Sequence, residues 1–136
     1  MPRSVMLVDD NIGDVNLMRL AIEEIGWGVH VTAAADGLDA LAFLDGDVVP
    51  DLMVIDLNMP RMNGWELLDR MLEDDGLRDI RRVVLTSSPV PDDASRALAL
   101  GAERCFVKSP NFHGLVATAR QIRVMMESGM HPVHAG

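Results

Sequence analysis

The chain has 136 residues and a mass of 14.9 kDa, enough for one domain with a buried core, and its 49% hydrophobic and 24% charged content excludes a disordered or collagen-like chain. Its 21 acidic residues against 12 basic ones leave a net charge of -9, which repels phosphate backbones and anionic headgroups, so neither nucleic acid nor a membrane is an expected partner. Aromatics reach only 4%, too few for a flavin slot or a base-stacking platform, and the single cysteine, Cys105, leaves no disulfide framework or thiolate metal cluster.

In chain order, Val5-Met6-Leu7-Val8 reads as a buried strand. Leu17, Met18, Ala21, Ile22 and Ile25 recur at helical spacing and stop at Gly26, which places Val15 off that face and Ile12 just before the helix, both exposed. Val29 to Ala33 forms a second strand, and Asp36-Gly37 turns the chain into a helix carrying Leu38, Leu41, Ala42 and Leu44. Leu52-Met53-Val54-Ile55 is the third strand, followed by a helix around Trp65, Leu68 and Met71-Leu72. Val83-Val84-Leu85 is the fourth, after which Asp92-Asp93 caps a helix ending at Leu100-Gly101. Cys105-Phe106-Val107 is the fifth, and Phe112, Leu115, Val116, Ala119, Ile122 and Met126 mark a last amphipathic helix. No apolar run approaches the roughly 18 residues that span a bilayer, and no signal peptide precedes the first strand, so a cytoplasmic location is expected.

Five continuous apolar strands, each followed by a helix, describe an α/β fold: a (βα)5 three-layer sandwich with a parallel five-stranded sheet. Right-handed crossovers with helices on both faces lead to the flavodoxin-like strand order 2-1-3-4-5. Residues 1–128 form the domain, and residues 129–136, rich in Gly, His and Pro, are expected to be a flexible tail.

The crevice of such a fold lies at the carboxyl ends of strands 1 and 3. Strand 1 ends in Asp9-Asp10, strand 3 in Asp56, strand 4 in Thr86-Ser87-Ser88 and strand 5 in Lys108-Ser109. Taken singly, these residues have structural roles available: acids capping the first helix, a strand end, turn residues, a solvated charge. Taken together, three carboxylates converging on one crevice call for a hard cation, and Mg²⁺ suits an all-oxygen site completed by waters and a phosphate. Asp56 can then act as a carboxylate nucleophile toward phosphorus, with Thr86 and Lys108 meeting the phosphoryl oxygens. Lys108 is the only lysine beside 11 arginines.

Leu7-Val8-Asp9-Asp10-Asn11, Asp56-Leu57-Asn58-Met59-Pro60-Arg61-Met62-Asn63-Gly64, Leu85-Thr86-Ser87 and Val107-Lys108 together resemble the four signature segments of the receiver domains of bacterial two-component response regulators. The resemblance covers residues 4 to 126. It implies that Asp56 is the phosphoacceptor, that Asp9, Asp10 and Asp56 bind Mg²⁺ with the Asn58 backbone carbonyl, and that Thr86 and Lys108 are the switch pair. Asn58 and Ser88 then fall at positions that tune phosphoryl lifetime. Lys108 is followed by Ser109-Pro110 rather than directly by proline, and Cys105 stands where many receivers carry a switching aromatic. The Lys-Ser pair, the Asp10-Asn11-Ile12-Gly13-Asp14 run and the chain length are similar to small response regulators that partner phytochrome kinases.

The implied function is a single-domain response regulator that takes a phosphoryl group from a histidine kinase, here a candidate bacterial phytochrome, and signals by conformational change and association. It is not a metabolic enzyme. The implied output is a homodimer through the fourth helix, fifth strand and fifth helix, around Asp92 to Leu100, Arg104 to Val107 and Leu115 to Met126. A phosphatase of haloacid-dehalogenase type needs Asp-x-Asp on one strand end, whereas Asp56 and the Asp9-Asp10 pair lie on different strands. A receiver that never carries phosphate is disfavoured by the complete set Asp9, Asp10, Asp56, Thr86 and Lys108.

Overall fold

The structure is a computed structural model, and it describes residues 3–46, 49–87 and 91–128. Five strands alternate with five helices: β1 (Ser4–Val8), α1 (Ile12–Glu24), β2 (His30–Ala34), α2 (Gly37–Leu44), β3 (Leu52–Ile55), α3 (Gly64–Glu73), β4 (Arg81–Thr86), α4 (Pro91–Ala99), β5 (Cys105–Val107) and α5 (Phe112–Glu127). All pairings are parallel, in the order β2-β1-β3-β4-β5. Ser88 and residues 129–136 lie outside the described residues.

Alternation along each strand sends side chains to two separate cores. Val5 and Leu7 of β1, Val54 of β3 and Phe106 of β5 pack with Met18 and Ile22 of α1 and Leu115 and Ile122 of α5. Met6, Val8, Met53 and Ile55 pack on the opposite face with Leu44 of α2, Leu67 and Met71 of α3 and Ala97 of α4. Both faces of the sheet are therefore covered, which is why its central strands are apolar without interruption. No helix among the described residues is long and apolar enough to cross a membrane.

Several local expectations are corrected. Val15 does not point away from the sheet: it is 8% exposed and sits in the α1/α5 core, whereas Leu17 is 44% exposed. The buried line of α1 runs through Val15, Met18 and Ile22, spaced by three and four residues, and Leu17 lies about 100° or more around the helix from each of them. Ile12 is 76% exposed as expected, but it is the first residue of α1 rather than the residue before it. In α2 and α3, Leu38 and Leu72 are exposed while Ala40 and Leu67 are buried. Asp92 and Asp93 lie in the first turn of α4, which starts at Pro91, rather than at its cap. Proline suits that first position because the N–H it lacks would be unsatisfied anyway.

β4 begins two residues before its apolar run. Arg82 is 2% exposed there, and its guanidinium donates to the Ile80 carbonyl at 2.8 Å and the Arg78 carbonyl at 3.0 Å. Burial, opposed by the charges of Glu103 and Asp79, holds its pKa below the usual arginine value.

Candidate functional site

The register of the sheet decides which strand ends meet. Val8 lies opposite Ile55, so Asp9 and Asp56 leave adjacent strands side by side, and the Asp56 N–H donates to the Val8 carbonyl at 2.9 Å. Asp10 follows Asp9 directly, and carboxylate oxygens of Asp9, Asp10 and Asp56 all lie within 4.8 Å of one another. Asp56 forms the floor at 5% exposure, Asp9 is half-buried and Asp10 is exposed, so the group opens toward solvent through Asp10. Gly64 opens α3 directly against the Asp56 backbone, where a side chain would strike the Asp56 carbonyl oxygen. That contact explains the glycine closing the segment from Asp56 to Gly64.

Thr86 and Val107 are paired across β4 and β5, and the Lys108 N–H donates to the Thr86 carbonyl at 2.7 Å. Thr86 is buried at the end of β4. The Lys108 ammonium reaches across the crevice and donates to Asp14 Oδ2 at 2.8 Å, Asp9 Oδ2 at 3.0 Å and Asp56 Oδ2 at 3.4 Å. Asn58 sits exposed in the loop after β3, where its N–H faces Asp56 Oδ1 at 3.3 Å.

Burial pushes the Asp56 carboxyl up to about 6; the Lys108 charge opposes this and the Asp9 charge adds to it. For Lys108, burial disfavours the ammonium, but hydrogen bonds to Asp14 and Asp9 outweigh it and hold the pKa above the usual lysine value. Crowded like charges and an all-oxygen donor set fit a hard divalent cation, which would relieve the repulsion among Asp9, Asp10 and Asp56.

Thus Asp9, Asp10, Asp56, Thr86 and Lys108, named from the sequence, come together at one end of the sheet, with Asn58 in the adjoining loop. The sequence names Asp14, Asp36 and Arg61 within its motifs but shows neither the Asp14–Lys108 contact nor the Asp36–Arg61 pair. Asp14 stands in the first turn of α1, where an acid is the ordinary complement of a helix start, and its contact with Lys108 spans the fold. Asp36 is buried and caps α2 through the Asp39 N–H. That bond, against burial and together with the Arg61 guanidinium, holds its pKa below the ordinary carboxylate value. Arg61 Nε donates to Asp36 Oδ2 at 2.6 Å from a backbone φ of 60°, a left-handed conformation uncommon outside glycine. The pair fastens the loop that contains Asn58 to the start of α2. The Arg96 guanidinium of α4 lies 4.1 Å from the centre of the Trp65 ring of α3.

Comparison with known proteins agrees with this geometry. The model of the response regulator receiver domain matches residues 5–120. The polar-differentiation response regulator DivK of Brucella anthropi is 33% identical over 110 residues, 81% of this chain and 86% of that protein. The response regulator Rcp1 of Synechocystis sp. is 30% identical over 84% of this chain and 82% of its own length. Its solved structure, a Mn²⁺-bound form, superposes with a TM-score of 0.80 at 30% identity over 89% of this chain and 91% of that one. The phosphorylated cyanobacterial phytochrome response regulator RcpA superposes with a TM-score of 0.86 at 29% identity, over 96% of this chain and 97% of that one. With the sheet order, the grouped acids and a family match over most of its length, this chain belongs to the receiver domains of response regulators.

Proposed function

We propose that this receiver accepts a phosphoryl group on Asp56 from a histidine kinase and signals by a change of surface and of association. The observation that carries the reading is the convergence of Asp9, Asp10 and Asp56 within 4.8 Å, with the Lys108 ammonium set against Asp56 and Asp9. An Asp56 oxygen attacks phosphorus in line, and the donor's leaving group departs on the far side. Lys108 and the Thr86 hydroxyl then meet the new anionic oxygens. Asp9, Asp10, Asp56 and the Asn58 carbonyl would hold Mg²⁺, and a bound divalent ion supplies charge shielding between carboxylate and phosphoryl oxygens. The Mn²⁺-bound relative Rcp1 and the phosphorylated relative RcpA support this assignment by likeness.

The phytochrome connection of RcpA supports a bacterial phytochrome as the kinase, and a cytoplasmic site of action goes with such a partner. Exposed Ile12, beside the crevice, offers the kinase an apolar contact; buried Val15 does not. Output runs through a homodimer of the α4-β5-α5 face. The protein is a phosphoacceptor, with catalysis limited to its own phosphorylation and dephosphorylation.

Intact mass measured after incubation with Mg²⁺ and acetyl phosphate tests the reading. The wild type is expected to gain one phosphoryl group, chelation of the metal to prevent the gain, and Asp56→Asn to remain unlabelled. Labelling of Asp56→Asn at the wild-type rate would overturn the site assignment.

A further inference from the structure

One acid at this crevice has no part in the chemistry above. Asp14, at the end of the Asp10-Asn11-Ile12-Gly13-Asp14 run, is the third residue of α1, and it accepts the shortest of the three bonds from Lys108. It stands outside the group of Asp9, Asp10 and Asp56 whose oxygens lie within 4.8 Å, so it serves the lysine rather than the metal cluster.

An ammonium has three hydrogens, and three carboxylates take them here: Asp9, Asp14 and Asp56. A phosphoryl oxygen arriving on Asp56 needs one of these donors. Asp14 can yield its place most readily, because its side chain keeps 39% exposure against 11% for Asp9 and 6% for Asp56. A carboxylate that is already partly hydrated turns to water with little desolvation change, whereas a buried one would be left unpaired. The contact also has a direction: Lys108 is 2.8 Å from Asp14 and 3.4 Å from Asp56, so it is drawn toward α1 and away from the acceptor.

We propose that Asp14 is a positioning residue that holds the Lys108 ammonium on the α1 side in the unphosphorylated protein and surrenders it to the phosphoryl group on Asp56. The inference rests on Asp56 being the acceptor. It makes the Asp14–Lys108 pair a brake on phosphorylation, and the exchange leaves a free carboxylate on the first turn of α1, two residues from exposed Ile12.

Asp14→Asn keeps the shape and removes the charge. With acetyl phosphate and Mg²⁺, it is expected to label roughly three- to tenfold faster than wild type, the weight of part of one charge-assisted hydrogen bond. Asp14→Glu, which keeps the charge and the reach, is expected to stay near the wild-type rate. The gain should persist between about 0.05 and about 0.5 M salt, since screening removes remote charge effects and spares a contact pair. A second measurement needs no variant. Lys108 is the only lysine, so its ammonium gives one side-chain nitrogen signal. A hydrogen-bond coupling from that signal to the Asp14 carboxyl carbon is expected in the unmodified wild type and is expected to vanish with beryllofluoride.

An unchanged or slower rate in Asp14→Asn, a gain that disappears in high salt, or a coupling that is absent or survives beryllofluoride would overturn this inference alone. A wild type that takes no label at Asp56 would overturn the acceptor reading and this one with it.

Discussion

Asp56 illustrates what it costs to bury a carboxyl group at a strand end. An isolated carboxyl ionises near 3.8, but in the folded chain this one is raised to about 6, chiefly by burial. Between these values the native state binds more protons than the unfolded state, so this residue's contribution to stability falls as pH rises from about 4 to about 6 and stays low above that. Asp56→Asn removes the effect. In the absence of divalent ions at pH 7, the variant is expected to be more stable than wild type by up to about 3 kcal/mol, with the gap closing toward pH 4. Urea unfolding at the two pH values, in chelator, measures it; a variant less stable than wild type at pH 7 would contradict the assigned cause. The acids and Lys108 were legible in the sequence because each sits at a strand end. Asp14 was not, since its partner lies 94 positions away.

Among the elements, strands were easier to read than helix faces. β3 and β5 both match the bounds read from the sequence; in β3 all four residues are buried, so there is no face to choose, while in β5 only Phe106 is buried and the run is set off by its flanking polar residues. α1 carries apolar residues at Ile12, Val15, Leu17, Met18, Leu20, Ala21 and Ile22, enough to draw two stripes, and packing against α5 selected the one containing Val15. The turn after α4 yields a sharper test. Gly101 has a φ of 102°, and an added Cβ would strike Arg82 Nη2. Gly101→Ala therefore combines a backbone conformation that alanine avoids with displacement of a buried guanidinium. A loss of about 1–3 kcal/mol is expected in chemical denaturation, with little change in Asp56 labelling.

At the scale of the whole molecule, the proposed phosphorylation of Asp56 would have to be reported by contacts other than a bulky aromatic at Cys105. Cys105 is partly buried, and burial pushes its thiol pKa up, so it behaves as a small apolar residue. The face next to it exposes Leu98 on α4, Val107 on β5 and Val124 on α5, bordered by Arg104 and Arg120. Apolar side chains on three neighbouring elements suit a symmetric contact between two copies. A dimer is expected on this face both without phosphate and with beryllofluoride, which strengthens it only modestly. Light scattering over a concentration series checks this, and a strict monomer in both states would exclude it.

The sequence by itself determined the strand count, the helix order, the parallel sheet and the polar cluster at its carboxyl edge. These follow from local apolar runs, from crossover handedness and from residues at strand ends, all of which are near in sequence or set by topology. Only the tertiary structure decided which stripe of α1 is buried, that Asp36 and Arg61 join two loops, that Arg82 lies inside the core, and that Lys108 turns to Asp14. Each of these depends on which of several available partners is nearest once the layers have packed. That choice is made by distances across the fold, and such distances leave no periodic trace along the chain.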